Sequence, residues 1–300
     1  TSAGGSDGFA LKLDAAGLLV WARQLGGTST DQGLGVAADG SGNVYVTGTF
    51  SGTADFGGSL LNSAGVTDGF VSKLDAAGDM VWTRPLGGTG EDQGLGVAVD
   101  GSGNVYVTGF FSEIANFYPG DGTFNLVSAG GPDVFVSKLN AAGDMAWVRR
   151  VGDTGDDRGL GVVVDGFANV YVTGLFSGTA DLDPGDGTFN LTSGGLTDGF
   201  VLKLDAAGLL VWPSQLGGTG DDRGFGVAVD GSGNVYVTGY FSGTADFDPG
   251  SATLNLTSGG FLDGFVVKLG FVASTVGLVD PGAGLWYLRD GAGVVSSFYF

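Results

Sequence analysis

One stretch constrains this chain more than any other: Gly224–Gly239, GFGVAVDGSGNVYVTG. Phe225–Asp230 and Val235–Thr238 are apolar and β-branched, and Gly231–Asn234 is turn chemistry, so the stretch predicts a β-hairpin. It recurs at Gly33–Gly48, Gly94–Gly109 and Gly159–Gly174, with a looser copy at Val276–Gly291. A second marker, Asp-Gly-Phe, starts at Asp7, Asp68, Asp198 and Asp263, with Asp133-Val-Phe as its variant, at spacings of 61, 65, 65 and 65. Repetition at this period requires a fold in which like units stack and bury each other's faces.

One unit reads from Asp198. Asp198–Asp205 is a strand, Ala206–Gly208 a turn, and Leu209–Gly218 a second strand containing Trp212. A polar loop, Thr219–Gly224, leads into the hairpin, and Tyr240–Leu262 is a longer connection with room for one extra short hairpin. No apolar pattern of helical period runs through the unit, so each repeat is an antiparallel meander without a helix. The 62 glycines suit many tight turns, and 43% hydrophobic content is too high for a disordered chain.

Charge and missing residue types exclude several function classes. The formal charge is −20 with only 12 Lys plus Arg, which argues against nucleic acid and anionic membranes and for divalent cations or a basic partner. With no Cys and no His, there is no disulfide framework, no thiolate chemistry and no Ser-His-Asp site. No apolar run approaches the roughly 18–20 residues of a membrane span. Thr1–Asp7 is in register with Thr192–Asp198, so the first repeat starts part-way through a unit, as in a trimmed part of a longer product.

The consensus DGFVxKLDAAGxxVWxxxLGGTGxDxGxGVAVDGSGNVYVTGxFSGTADF, over about residues 7–270, resembles the SBBP β-propeller repeat of bacterial secreted and cell-surface proteins. The hairpin is also similar to the first two strands of NHL-type blades. GLWYLRDGAGVVSSFYF, residues 284–300, resembles an FG-GAP-like repeat. The resemblance implies an all-β propeller of four-stranded antiparallel blades. GVAVD would be innermost, NVYVTG second, DGFVxKLD third and the Trp-bearing strand outermost. The repeats would be 7–67, 68–132, 133–197 and 198–262. A fifth blade would be closed by residues 263–300 with 1–27, making 1–300 one domain. Trp21, Trp82, Trp147 and Trp212 would fill the gaps between blades.

Three groups of residues carry candidate chemistry. The loop before each inner strand holds Asp31, Asp92, Asp157 or Asp222, with Arg158 and Arg223 following the last two. In a propeller these loops converge on one mouth of the channel and can bind a cation or cationic ligand; the competing reading is that each Asp caps its own turn. Asp181, Asp183 and Asp186, with Asp246 and Asp248 as a half copy, offer oxygens to calcium on tight Pro-Gly loops. The related loop Asn116–Asp121 lacks two of those carboxylates. Asn190-Leu-Thr192 and Asn255-Leu-Thr257 are glycosylation sequons.

Two functions follow. Near-identical blades point to a non-catalytic extracellular or cell-surface scaffold. Its partner would be a protein, a polysaccharide or further copies of the chain, with self-assembly into fibres or a surface layer as one version. The alternative is a calcium-assisted polysaccharide hydrolase or lyase at the channel mouth, using paired carboxylates.

Overall fold

A computed structural model describes residues 2, 4–117, 124–248, 250 and 252–270, and the backbone of strands at 275–280, 285–289 and 295–299. The chain divides into two compact units, Thr1–Val151 and Gly152–Phe300. Among the described residues both are all-β and every sheet is antiparallel.

In the first unit, β1 (Gly8–Leu13) and β2 (Leu19–Gly27) begin the chain. One full repeat follows as β3 (Gln32–Ala38), β4 (Val44–Phe50), the short hairpin β5 (Thr53–Asp55) and β6 (Leu60–Asn62), then β7 (Asp68–Leu74) and β8 (Met80–Gly88). The next repeat gives β9 (Gln93–Val99), β10 (Val105–Phe111), the hairpin β11 (Ile114–Asn116) and β12 (Asn125–Val127), β13 (Asp133–Leu139) and β14 (Met145–Val151). Sheet order is β3-β4-β7-β8 and β9-β10-β13-β14, the expected meander. The short hairpin of each repeat joins the fourth strand of the preceding sheet: β11 pairs with Gly87 and Gly88 of β8, and β5 with Gly26 and Gly27 of β2.

The second unit repeats the plan with β15 (Arg158–Val164), β16 (Val170–Phe176), β17 (Thr179–Asp181), β18 (Asn190–Thr192), β19 (Asp198–Leu204) and β20 (Leu210–Gly218). It continues with β21 (Arg223–Val229), β22 (Val235–Phe241), β23 (Thr244–Asp246), β24 (Asn255–Thr257) and β25 (Asp263–Leu269). The last strands are β26 (Thr275–Asp280), β27 (Leu285–Arg289) and β28 (Val295–Tyr299).

Here the strand pairing departs from the expected closing blade. Residues 276–289 do form a hairpin, but β26 pairs with β25, in the slot that the Trp strand fills elsewhere. Among the described residues β1 pairs with β2 alone. A strand a few residues downstream reaches the open edge of β25 at little loop-closure cost. No sheet closes on itself among the described residues. The side chains of the FG-GAP-like segment, and residues 118–123 of the Asn116–Asp121 loop, lie outside the described residues.

The repeated hairpin owes its shape to one aspartate. Asp100 Oδ1 accepts the N–H of Ser102 and Asn104, each at 2.9 Å. Its Oδ2 accepts the Asn104 amide at 2.8 Å and the Tyr106 hydroxyl at 3.0 Å. Asp39, Asp165 and Asp230 make the same set. Gly103 supplies the left-handed residue at φ 79°. The third repeat puts Ala168 there, at φ 64°. On the second strand Gly109 meets its partner so closely that a Cβ would lie 1.8 Å from the Gln93 carbonyl oxygen.

Neither face of such a sheet is polar, so each must be covered by a neighbour. In the first unit Tyr45, Val71, Trp82 and Leu86 of one sheet pack with Val105, Val107, Phe111 and Phe135 of the next. Phe117, just past β11, wedges between Phe111 at 5.7 Å and Phe135 at 4.8 Å. Phe56 and Phe247 take the same place beside Phe50 and Phe70 and beside Phe241 and Phe265. Trp82 donates to the Ala141 carbonyl of the neighbouring sheet at 3.3 Å, so the periodic tryptophan bridges sheets as expected.

Two outcomes follow for stability in urea. Phe135→Ala should cost about 3–5 kcal/mol, because Phe117 and Phe111 cannot collapse into the vacated volume. Ala168→Gly should stabilise by about 0.5–1 kcal/mol, since relief of the left-handed strain exceeds the added freedom of the unfolded chain. A lower midpoint for Ala168→Gly would refute that reading of the turn.

Candidate functional site

Two loops run side by side at one end of each sheet. The acidic loop ends in Asp31, Asp92, Asp157 or Asp222; its neighbour reads Ser-[Ala/Gly]-Gly-x-x-Asp and ends in Asp7, Asp68, Asp133 or Asp198. Backbone bonds tie them together: Val66 N–H to Gly90 O at 3.1 Å and Asp92 N–H to Thr67 O at 2.9 Å, repeated by Leu196 with Gly220 and Asp222 with Thr197.

The aspartates expected at an open mouth are buried. Asp31, Asp92, Asp157 and Asp222 are all at most 1% exposed. Each holds two distant pieces of backbone. Asp92 Oδ2 accepts Gly88 N–H at 2.6 Å and its Oδ1 accepts Ser112 N–H at 3.1 Å. Asp31 bonds Gly27 and Ser51, Asp157 bonds Asp153 and Ser177, and Asp222 bonds Gly218 and Ser242 in the same way. The turn-capping reading is therefore the one the geometry supports. Arg158 and Arg223 pair with the acid two residues earlier, Asp156 at 2.6 Å and Asp221 at 3.0 Å.

The second aspartate of each pair, at the repeat marker, is a position that sequence reasoning left as punctuation. A Cβ on Gly87 would stand 2.7 Å from Asp92 Oδ2 and 3.0 Å from Asp68 Cγ, so the two carboxyls flank one glycine. Gly217 separates Asp198 and Asp222 likewise. The signal was available: an Asp opening an otherwise apolar strand in every repeat needs a polar partner. The partner differs by repeat. Gln24 donates to Asp7, Arg150 to Asp133 and Gln215 to Asp198, whereas the second repeat has Pro85, which offers no donor. Among the described residues Oδ1 of Asp68 and of Asp198 meets no donor.

Burial pushes the Asp92 carboxyl up to about 7. The Gly88 and Ser112 N–H groups oppose the rise, while Asp68 and Glu113 add to it. Burial lifts Asp222 to about 6, with Asp198 and Asp221 contributing. Burial also raises Asp68 and Asp198.

The expected calcium loops are built as turns. Asp181 Oδ1 accepts the N–H of Asp183 at 3.0 Å and Phe189 at 2.8 Å, and Asp183 Oδ1 accepts Gly185 N–H. Asp246 and Asp248 repeat the pattern with Asp248, Leu254 and Gly250. Asp186 is exposed. Among the described residues no three acidic side chains converge as a metal site. Asn190 and Asn255 are exposed, on β18 and β24.

The repeat, its meander and its paired loops define a β-propeller repeat scaffold. Three stretches, residues 20–53, 81–109 and 211–247, match the model of the SBBP family, described as a beta-propeller repeat. Those three stretches carry SBBP repeats. It is 31% identical over 293 residues to the regulatory protein FlaEY of Caulobacter vibrioides, covering 91% of this chain and 30% of that protein. It is 26% identical over 271 residues to an uncharacterized WD repeat-containing protein, L264, of Acanthamoeba polyphaga mimivirus, covering 77% of this chain and 19% of that one. The chain thus spans less than a third of the length of these relatives. A solved protein of unknown function from Bacteroides caccae is 12% identical, with TM-score 0.40, covering 97% of this chain and 92% of that one.

The acid pairs make stability depend on pH with a definite sign. In the pairs Asp68–Asp92 and Asp198–Asp222 burial raises the folded-state pKa above the unfolded value, so between about pH 4 and pH 7 these groups hold more protons in the folded chain than in the unfolded one. Stability should therefore fall as pH rises through that window. Asp68→Asn, which removes the neighbouring charge, should flatten the fall and stabilise the chain at pH 8. Urea midpoints at several pH values check this, and a midpoint rising from pH 5 to pH 8 would overturn it.

Proposed function

We propose that this chain is a non-catalytic interaction module whose sheet ends grip a protein partner carrying basic and apolar side chains. The observation behind it is one variable position. In Ser-[Ala/Gly]-Gly-x-x-Asp, the first x is Gly5, Val66, Gly131, Leu196 or Phe261, between a constant glycine before it and a constant aspartate two residues on. Val66, Leu196 and Phe261 stand 74%, 77% and 97% exposed. An apolar side chain in water beside a fixed acidic loop contributes nothing to the fold and is suited to contact. Glu91 and Asp221 lie alongside, bridged to Thr67 and Thr197. The charge of −20 adds attraction for a basic surface.

The hydrolase reading draws less support. Its carboxylates would have to touch a glycan, and Asp92 and Asp222 are buried and hold backbone N–H groups. Secretion or display on a bacterial surface, assembly of like copies into fibres, and a five-bladed count belong to the same proposal. Their support is the likeness to SBBP repeats and the near-identity of the units.

The test uses arrays of peptides rich in arginine and aromatic residues, probed with the intact chain and with Val66→Asp/Leu196→Asp/Phe261→Asp. The intact chain should bind, and binding should weaken roughly tenfold in the triple variant and in high salt. Equal binding by both proteins, or release of reducing ends from a polysaccharide panel by the intact chain, would refute the proposal.

A further inference from the structure

We propose that the pocket beside Val66 receives an arginine side chain of the partner, and that Glu113 sets this choice. The inference rests on the sheet-end reading above and names the residue that this end takes. The pocket holds about 540 Å³ between the loops that precede β7, β9 and β13 and the turn from β10 to β11. Val66, Thr89, Glu91, Glu113, Ser128 and Pro132 line it.

Glu113 is the outlier among four equivalent turns. Gly52, Gly178 and Gly243 stand at the same point with φ of 61°, 64° and 63°, and Glu113 is held there at φ 59°. The turn cannot relax, because Glu113 N–H donates to Ser128 Oγ at 2.9 Å and its carbonyl accepts the Ser128 N–H at 2.8 Å. The three glycines are tied to Ser63, Ser193 and Ser258 by the same two bonds. The second repeat thus carries a carboxylate where the fold suits glycine.

Its charge is also left uncompensated. At the position of Glu91 the third and fourth repeats have Asp156 and Asp221, each paired with the arginine two residues on. The second repeat has Gln93 instead, a neutral donor 3.0 Å from Glu91 Oε1. Among the described residues neither Glu91 nor Glu113 has an ion-pair partner. Two such carboxylates on separate loops, with Val66 and Pro132 in the wall, match a guanidinium on an apolar stem. The planar fork spans two acceptors and the stem covers the apolar wall. A lysine ammonium is a compact, strongly hydrated charge and gains less from acceptors so placed.

The probe is N-acetylarginine amide, titrated into the full chain and followed through the amide shifts of Gly90, Glu113 and Ser128. Saturable shifts are expected. The lysine analogue, and the citrulline analogue that keeps the shape without the charge, should bind roughly tenfold more weakly. Glu113→Gly restores the residue of the other repeats, so it should raise the melting temperature while weakening arginine binding roughly tenfold. Glu113→Gln, which keeps the bulk of the side chain, should weaken it as much. Absence of saturable shifts, arginine binding unchanged in both variants, or equal binding of lysine or citrulline overturns the inference. The sheet-end reading, which turns on Val66, Leu196 and Phe261, survives those outcomes. If the probe binds as expected while the peptide arrays stay blank for the intact chain, the partner reading fails and the pocket stands as an arginine site on its own.

Discussion

Everything in this fold depends on the mutual covering of sheets that have no polar face. A four-stranded meander with Phe135 and Val107 on one side and Val134 and Val136 on the other cannot stand in water alone. The solution is a wedge. The short hairpin between the second and third strands leaves its own sheet and pairs with the glycine tail of the preceding one. Its aromatic residue, Phe56, Phe117 or Phe247, then drops into the gap between them. Each wedge is thus bonded to one sheet and buried against both, so the repeat is a unit of sequence but not of stability.

The polar side of the structure follows from that stacking. Fast turns and crossing connections leave backbone N–H groups buried at the sheet ends, and these must find acceptors. Aspartate does this throughout. Asp100 closes the hairpin turn, Asp75 the next turn, and Asp92 binds the backbone on either side of its own loop. The consequence is a chain rich in acid whose carboxylates are largely committed to the backbone. In the exposed turns the bonds dominate: the Asn234 amide, with backbone N–H groups and Tyr236, holds Asp230 down at about 2. In the buried pairs desolvation dominates and the shift has the opposite sign.

The fold was largely legible because period and turn chemistry are local. The hairpin Gly224–Gly239 announces itself through its Asp, its glycine and its alternation, and sheet order follows from short connections. The placement of 276–289 was not legible. The stretch has the pattern of an inner hairpin, and pattern fixes which residues pair within a hairpin but not which edge the hairpin joins. At the site, the sequence located the acidic loops but not their burial, because Asp92 becomes inaccessible only when Ser112, some twenty residues on, folds over it. The partner carboxyls at Asp68 and Asp198 were hidden by their regularity. A residue present in every repeat reads as architecture, and here it is architecture under electrostatic strain.

Departures from the repeat separate what the fold needs from what it leaves open. Pro85 replaces a glutamine or arginine and leaves Asp68 without a side-chain donor. Ala168 replaces a glycine and sits at positive φ. Both substitutions lie where the backbone or a buried charge depends on the residue, so each carries a cost that stacking against neighbours must offset. Val66, Leu196 and Phe261 stand exposed at one position of the repeat, whereas a Cβ on Gly5 at that position would lie 2.9 Å from the Ser29 carbonyl oxygen. The loop is secured by its backbone and by the aspartate that follows. Where the side chain projects into water, as at Val66, Leu196 and Phe261, its identity is free of the fold, and a surface composed of such positions can change its partner while the sheets beneath remain the same.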